Sequence, residues 1–292
     1  MPLEDPRRSG PARPAGVLWP ARGQDVYDVG QEQVSEPITE VVSHYWWVRW
    51  RRESVRPFRP HVLGHPVAHL TVEDAEGGRM HGVGMPSALV HGLLTRVFAP
   101  DLPTAGRVAG VAFRPGGLAA LLDRDVRDLT DRIVRAADVL GPRVSEAAQA
   151  VLGEPDEATR RQLLLAYLLE VLDPQLQRVR EDTAYATVLG AVDLMRAREH
   201  TTLAPVADRL HVSTRTLQRM FARYVGASPL WVLRRYRLQD AARAIDTGDG
   251  QDLAALASDL GFADQAHLTR AFTAVVGVPP SAYRRGGPGS GQ

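Results

Sequence analysis

The chain has 292 residues, enough for two modest cores, with 44% hydrophobic residues and a net charge of +1. It has no cysteine, which excludes disulfides, thiolate metal sites and thiol catalysis, and no run of eighteen apolar residues, which excludes an obvious membrane partner. All 35 basic residues are arginine, and with no apolar leader at the start the chain reads as a cytoplasmic protein.

The near-neutral total hides an asymmetry. Residues 201–285 hold 11 Arg against 7 Asp, a net +4, leaving 24 Arg against 27 acids, or −3, for residues 1–200. A basic C-terminal part is the electrostatic footprint of a nucleic-acid binder, although +4 is modest and needs its arginines gathered on one face.

Taken in chain order, residues 1–16, with four Pro and three Arg, read as a disordered tail, and so do residues 286–292. From Val17 to Phe113 come short runs bounded by Gly, Pro and Asp, which predict strands over 40–50, 69–73, 81–85, 88–98 and 108–113. In the first, Val42, His44, Trp46, Val48 and Trp50 alternate with Ser43, Tyr45, Trp47 and Arg49, a strand with aromatics on both faces. Strands at this spacing predict a small barrel or sandwich. Pro115-Gly116-Gly117 then turns the chain into helical segments at 118–122, 130–140, 144–151 and 156–172. The last carries Leu on more than one face, which predicts packing against two neighbours; Asp173-Pro174 ends it.

Six of the nine histidines lie in this half: His44, His61, His65, His69, His81 and His91. His61, His65 and His69 are spaced by four, which on a helix would stack them around a metal. Pro60, Gly64 and Pro66 oppose a helix there, so neither a metal site nor a cofactor is expected. Tyr45, Trp46, Trp47 and Trp50 read first as barrel core, with Trp46, Trp47 and Trp50 as candidates to line an effector pocket.

Residues 201–285 contain one pattern written twice. Ala207, Leu210, Leu217, Arg219, Phe221, Gly226 and Pro229 recur as Ala257, Leu260, Leu268, Arg270, Phe272, Gly277 and Pro280, with an offset of 50 that becomes 51 after one added residue between the helices. Each copy predicts a short helix, a break and a second amphipathic helix. Ser213 and Asp264 stand as N-caps, and Gly226 and Gly277 stand where a left-handed cap would end the helix. In the second helix of the first copy, Leu217, Met220, Phe221 and Tyr224 share a buried face, and Thr214, Arg215, Gln218 and Arg219 form the opposite stripe. In the second copy Gln265, Ala266, Thr269 and Arg270 lie on or near the outer side, with His267 at its edge. Arginine suits guanine and glutamine suits adenine in a major groove. Between the copies, Ser228-Pro229 opens a helix running to Ile245, ~27 Å over eighteen residues. Two reading helices on that spacer could enter neighbouring grooves, ~34 Å apart, without dimerisation.

These residues carry a resemblance. Ser213, Leu217-Gln218-Arg219-Met220-Phe221, Gly226 and Pro229, with Gly261-Phe262, Leu268, Arg270, Phe272, Gly277-Val278-Pro279 and Tyr283-Arg284, resemble the DNA-binding domain of the arabinose-regulator (AraC/XylS) family of bacterial transcription factors over residues 183–285. The resemblance implies that positions matching Arg215, Gln218, Arg219, Gln265, His267, Thr269 and Arg270 contact DNA. Ala266, where some members carry a polar residue, and Leu268, where many have Phe, depart from the pattern. The run from Val108 to Leu122 resembles a segment of the β-rich N-terminal domains of some of these regulators, a match over roughly 20–140 that implies a sensory or dimerising domain; with its trailing helices that domain is expected over 17–180. The expected fold is therefore α+β with two domains: a small β-barrel or sandwich followed by helices, then an all-α domain of two helix-turn-helix units joined by a linker helix.

The implied function is a regulator, such as an activator, bound to double-stranded promoter DNA. Its expected partners are a small-molecule effector, a second copy as a homodimer, and RNA polymerase in the case of an activator. Arg219 and Arg270 recur at equivalent places and could instead brace the fold. The alternative is a metal-dependent enzyme domain fused to a DNA-binding domain. Family members that accept alkyl groups on cysteine are excluded by composition.

Overall fold

The computed structural model describes residues 16–20, 26–52, 58–197, 202–248 and 252–286, so the expected tails at 1–16 and 286–292 lie outside the described residues except for Gly16 and Gly286. Nine strands come first: β1 (Val17–Leu18), β2 (Tyr27–Gln33), β3 (Val42–Arg51), β4 (His61–Val62), β5 (His69–Ala75), β6 (Arg79–Met80), β7 (Val83–Gly84), β8 (Ser87–His91) and β9 (Ala105–Phe113). Helix α1 (Gly117–Leu122) and strand β10 (Ile133–Arg135) precede α2 (Ala137–Leu140), α3 (Arg143–Gly153), α4 (Glu157–Leu172), α5 (Leu176–Glu181) and α6 (Thr183–Arg196). The rest is helical: α7 (Leu203–Arg209), α8 (Thr214–Tyr224), α9 (Pro229–Thr247), α10 (Leu253–Asp259), α11 (Gln265–Val276) and α12 (Pro280–Arg284).

The β-rich half followed by an all-helical half matches the predicted class. Its strands form one antiparallel six-stranded sheet in the order β10-β8-β5-β9-β3-β2, with β1–β4 and β6–β7 as two-stranded ribbons. Among the described pairings β10 and β2 do not meet, so the sheet is open rather than a closed barrel. A bulge between Val42 and His44 resets the alternation of β3. Tyr45 and Trp47 then share a face with Leu70, Val90 and Val111, while Trp46, Val48 and Trp50 face the other side with Ala75 and Val108.

Three predicted elements differ. Residues 130–140 form no single helix: β10 takes the open edge of β8, pairing Ile133 with His91 and Val134 with Val90, and only Ala137–Leu140 is helical. The β-branched pair Ile133-Val134 fits a pleated edge better than a helix. The strand predicted over 81–85 is the hairpin of β6 and β7, turned by His81 and Gly82, both left-handed at φ 53° and 77°. The strand predicted over 88–98 ends at His91.

The larger core starts on the sheet, with Leu70, Val111 and Phe113, and runs through Leu118 and Val126 into Tyr185, Leu217, Phe221 and Val232. The smaller core joins Leu18, Trp19 and Leu63 to Leu238 of α9, Leu268 and Phe272 of α11 and Tyr283 of α12. At ~1.5–3 kcal/mol for each large apolar side chain fully buried, both cores tie the N-terminal strands to the C-terminal helices. Helix α4 packs against α3 on one side and β9 on another, as its two-sided leucines predict.

Candidate nucleic-acid interface

Helix α8 is built from its cap outward. Ser213 Oγ accepts from the Thr216 amide at 3.0 Å, and Leu217, Phe221 and Tyr224 are buried. The opposite stripe of Thr214, Arg215, Gln218 and Arg219 is exposed. The end of the helix is fastened to the N-terminal half: the Val126 amide donates to Arg223 O at 3.1 Å and Thr130 Oγ1 donates to Gly226 O at 3.0 Å. The Tyr224 hydroxyl donates to Asp182 Oδ2 at 2.6 Å, and Asp182 also caps α6 by accepting from the Tyr185 amide at 2.9 Å. Burial and the Asp182 carboxylate push the Tyr224 hydroxyl up to about 12, so it stays a donor at neutral pH.

Helix α11 repeats the plan. Asp264 Oδ1 accepts from the His267 amide at 2.6 Å, and Leu268, Phe272 and Val276 are buried. Gln265, Ala266 and Arg270 are exposed, while His267 and Thr269 are half-buried. His267 also braces its own turn: its Nδ1 accepts from the Ala263 amide at 3.4 Å and its ring stands edge-on to Phe262 at 5.3 Å. Among the described residues Arg215, Arg219 and Arg270 have no ion pair, unlike Arg223 with Asp123 and Arg243 with Asp240, each at 2.8 Å. The bracing role open to Arg219 and Arg270 in the sequence is not one that an ion pair fills here.

The spacer α9 has 19 residues, about 28 Å of helix, opened by Ser228 Oγ accepting from the Trp231 amide at 3.2 Å. One of its residues, Arg235, escaped the sequence reading. It is 2% exposed, its guanidinium lies 4.6 Å over the Trp231 ring, and it donates to Thr95 O and to Leu94 O. Burial pushes it down to about 10. The signal was an arginine four residues after Trp231 and three before Leu238, inside an apolar stripe.

The aromatic candidates of the N-terminal half divide. Trp46 Nε1 donates to His69 Nδ1 at 3.1 Å, and Trp50 Nε1 donates to Pro103 O at 3.0 Å, both from one face of the sheet. Trp47 lies on the other face, its ring 5.3 Å from the Arg49 guanidinium, so the three do not line one surface. The histidines spaced by four do not converge either. His61 stands edge-on to Trp19 at 5.3 Å, His65 lies 6.2 Å from Tyr236, and His69 is taken up by Trp46. Among the described residues no helix is long and apolar enough to cross a membrane.

Residues 206–286 match a family model described as a helix-turn-helix domain, and residues 32–135 match a domain of unknown function (DUF6597). A Streptomyces lividans protein named as an AraC-like transcription regulator is 38% identical over 104 residues, 36% of this chain and 34% of that protein. A Streptomyces antibioticus protein of the same name is 32% identical over 133 residues, 42% of this chain and 43% of that one. The matches thus span less than half the length of either relative. ToxT from Vibrio cholerae overlays 90% of this chain and 100% of its own with a TM-score of 0.42 at 11% identity. The matched relatives are named as regulators, and they give no support to an enzyme fusion. With its repeated helix-turn-helix units matched in this way, the C-terminal part of the chain is a helix-turn-helix domain similar to that of AraC-like transcription regulators.

Proposed function

We propose that this protein is a sequence-specific transcription regulator that sets α8 and α11 into successive major grooves of double-stranded promoter DNA. Arg215, Gln218 and Arg219 read base edges from the first helix, and Gln265 and Arg270 from the second, each good bidentate pair giving ~1–3 kcal/mol of discrimination. Thr214, His267 and Thr269 flank these stripes and hold phosphates. Contacts to phosphate supply most of the affinity and make it fall steeply with salt. The observation that carries the reading is the pair of exposed polar stripes on two equivalently capped helices, with arginines that no carboxylate engages among the described residues.

Residues 17–180 act as the receiving domain, for a small-molecule effector or for a second copy in a homodimer, and an activator would also meet RNA polymerase, all in the cytoplasm. Support comes from the seam at Tyr224, Gly226 and Arg235, whose hydrogen bonds join α8 and α9 to the segments before them. Genome-wide binding followed by footprinting tests the reading. The expected result is two protected patches one helical turn apart on one face of the duplex; a single short patch, or sites without a shared motif, overturns it.

A further inference from the structure

The sheet face that carries Trp46 and Trp50 also holds a group of side chains that DNA binding does not use. Glu73 lies on β5, His91 ends β8, and His81 sits in the turn between β6 and β7. Their side chains are 2%, 9% and 7% exposed. His91 Nε2 lies 2.8 Å from Glu73 Oε1, and His81 Nε2 lies 3.1 Å from Glu73 Oε2. One ligand atom from each residue falls within 4.8 Å of the other two.

We propose that Glu73, His81 and His91 bind a divalent transition metal ion of the zinc class through two imidazole Nε2 atoms and one carboxylate. Ions of this class hold N and O ligands at ~2.0–2.1 Å, which sets neighbouring ligand atoms ~3.0–3.4 Å apart, close to the two histidine-to-carboxylate distances here, with the third pair within 4.8 Å. Imidazole with carboxylate suits zinc, cobalt, nickel or iron rather than magnesium or calcium. On binding, each imidazole gives up the Nε2 proton that now faces the Glu73 carboxylate, turns that lone pair to the ion and carries its one proton on Nδ1. Three protein ligands leave a further position for water or for a coordinating group of an effector.

The surroundings are those of a prepared site. Thr71 Oγ1 donates to Glu73 Oε1 at 2.6 Å, fixing the carboxylate from behind. Phe98 packs beside the pair, 5.4 Å from the His81 ring and 5.8 Å from the His91 ring. His81 holds φ at 53°, a left-handed conformation that costs a residue with a Cβ ~1–2 kcal/mol and here aims its imidazole at Glu73. From His91 the chain runs directly to Leu94 and Thr95, whose carbonyls hold Arg235 of α9. An ion at this site would therefore anchor the segment that grips the spacer helix.

The test uses the full chain, stripped with a chelator and titrated with Co²⁺ and then Zn²⁺. One equivalent of Co²⁺ should bind, give visible d–d absorption and be displaced by Zn²⁺, and Zn²⁺ should raise the melting temperature. His81→Gln and, as a second variant of matched shape, Glu73→Gln should weaken Co²⁺ binding at least tenfold, while His61→Gln should leave it unchanged. A cooperatively folded wild-type chain that takes up no Co²⁺ at micromolar concentration overturns the proposal. So does equal Co²⁺ binding by wild type, H81Q and E73Q.

Discussion

Arg215 and Gln218 are exposed on a helix whose other side is fully committed to the core, so their side chains can be changed without touching packing. Arg215→Ala is expected to keep the circular dichroism spectrum and to lose ~1–3 kcal/mol of discrimination at one base position. A binding series across all single-base variants of the site checks it, and an unchanged profile removes Arg215 from the reading set. At the same scale, burial pushes His69 down to about 3 and His65 down to about 4. Both folded values lie below the unfolded value of ~6.5, so the neutral forms stabilise the fold above that pH. Stability is then lost as pH falls from ~6.5 toward 4, at up to ~1.4 kcal/mol per pH unit for each histidine. Urea midpoints at pH 7 and pH 5 should show the decline, and His65→Gln should flatten it; equal slopes would place the proton uptake elsewhere.

At the scale of elements, the two helix-turn-helix units share a plan but differ in what lies beyond it. Both turns need a left-handed residue at the same place in the repeat, which is Gly261 in the second unit and His211, at φ 55°, in the first. Both second helices are followed by a left-handed glycine, yet a Cβ on Gly226 would meet Thr130 Oγ1 at 2.3 Å, while one on Gly277 would meet nothing within 4 Å. Gly277→Ala should therefore cost only the backbone penalty of ~1 kcal/mol, and Gly226→Ala that penalty plus a clash, ~2–3 kcal/mol in all. Equal shifts in melting temperature would mean that the Thr130 contact yields freely. The repeat, its caps and its buried stripes were legible because they are local: Ser213, Asp264 and Ser228 each act within three residues. The edge strands were not. Strand β2, Tyr27–Gln33, is polar along much of its length, and β10 exists only because β8 offers it a partner. Glu73, His81 and His91 were equally hidden, since only the pairing of β5 with β8 and the β6–β7 turn bring them together.

Across the whole molecule, the halves that composition separates are sewn together by contacts of very long sequence separation. Trp19 Nε1 donates to Tyr283 O at 3.1 Å and its ring lies 4.8 Å from that of Tyr283. Gln239 Nε2 donates to Leu63 O at 2.7 Å on the same side. Trp19→Ala should cost ~3 kcal/mol and speed hydrogen exchange mainly in α10–α12. Exchange that quickens evenly along the chain, or stays unchanged, would show that the second unit does not depend on that contact. No periodicity announces such a contact, because a tryptophan just past a two-residue strand and a tyrosine at the far end of the chain carry no shared pattern.

The unequal mounting of the two units gives the molecule the mechanics of a caliper. Helix α8 belongs to the same core as the sheet and acts as the fixed jaw, whereas α11 rides on the far half of α9 and a small group of N-terminal side chains, Leu18, Trp19 and Leu63. A change felt in the sheet would then emerge as a tilt of the moving jaw, altering the stride between grooves rather than the letters read in either. Operators lengthened by one base pair between half-sites, a rotation of ~34° at ~10.5 base pairs per turn, would be the ruler that tells the two settings apart.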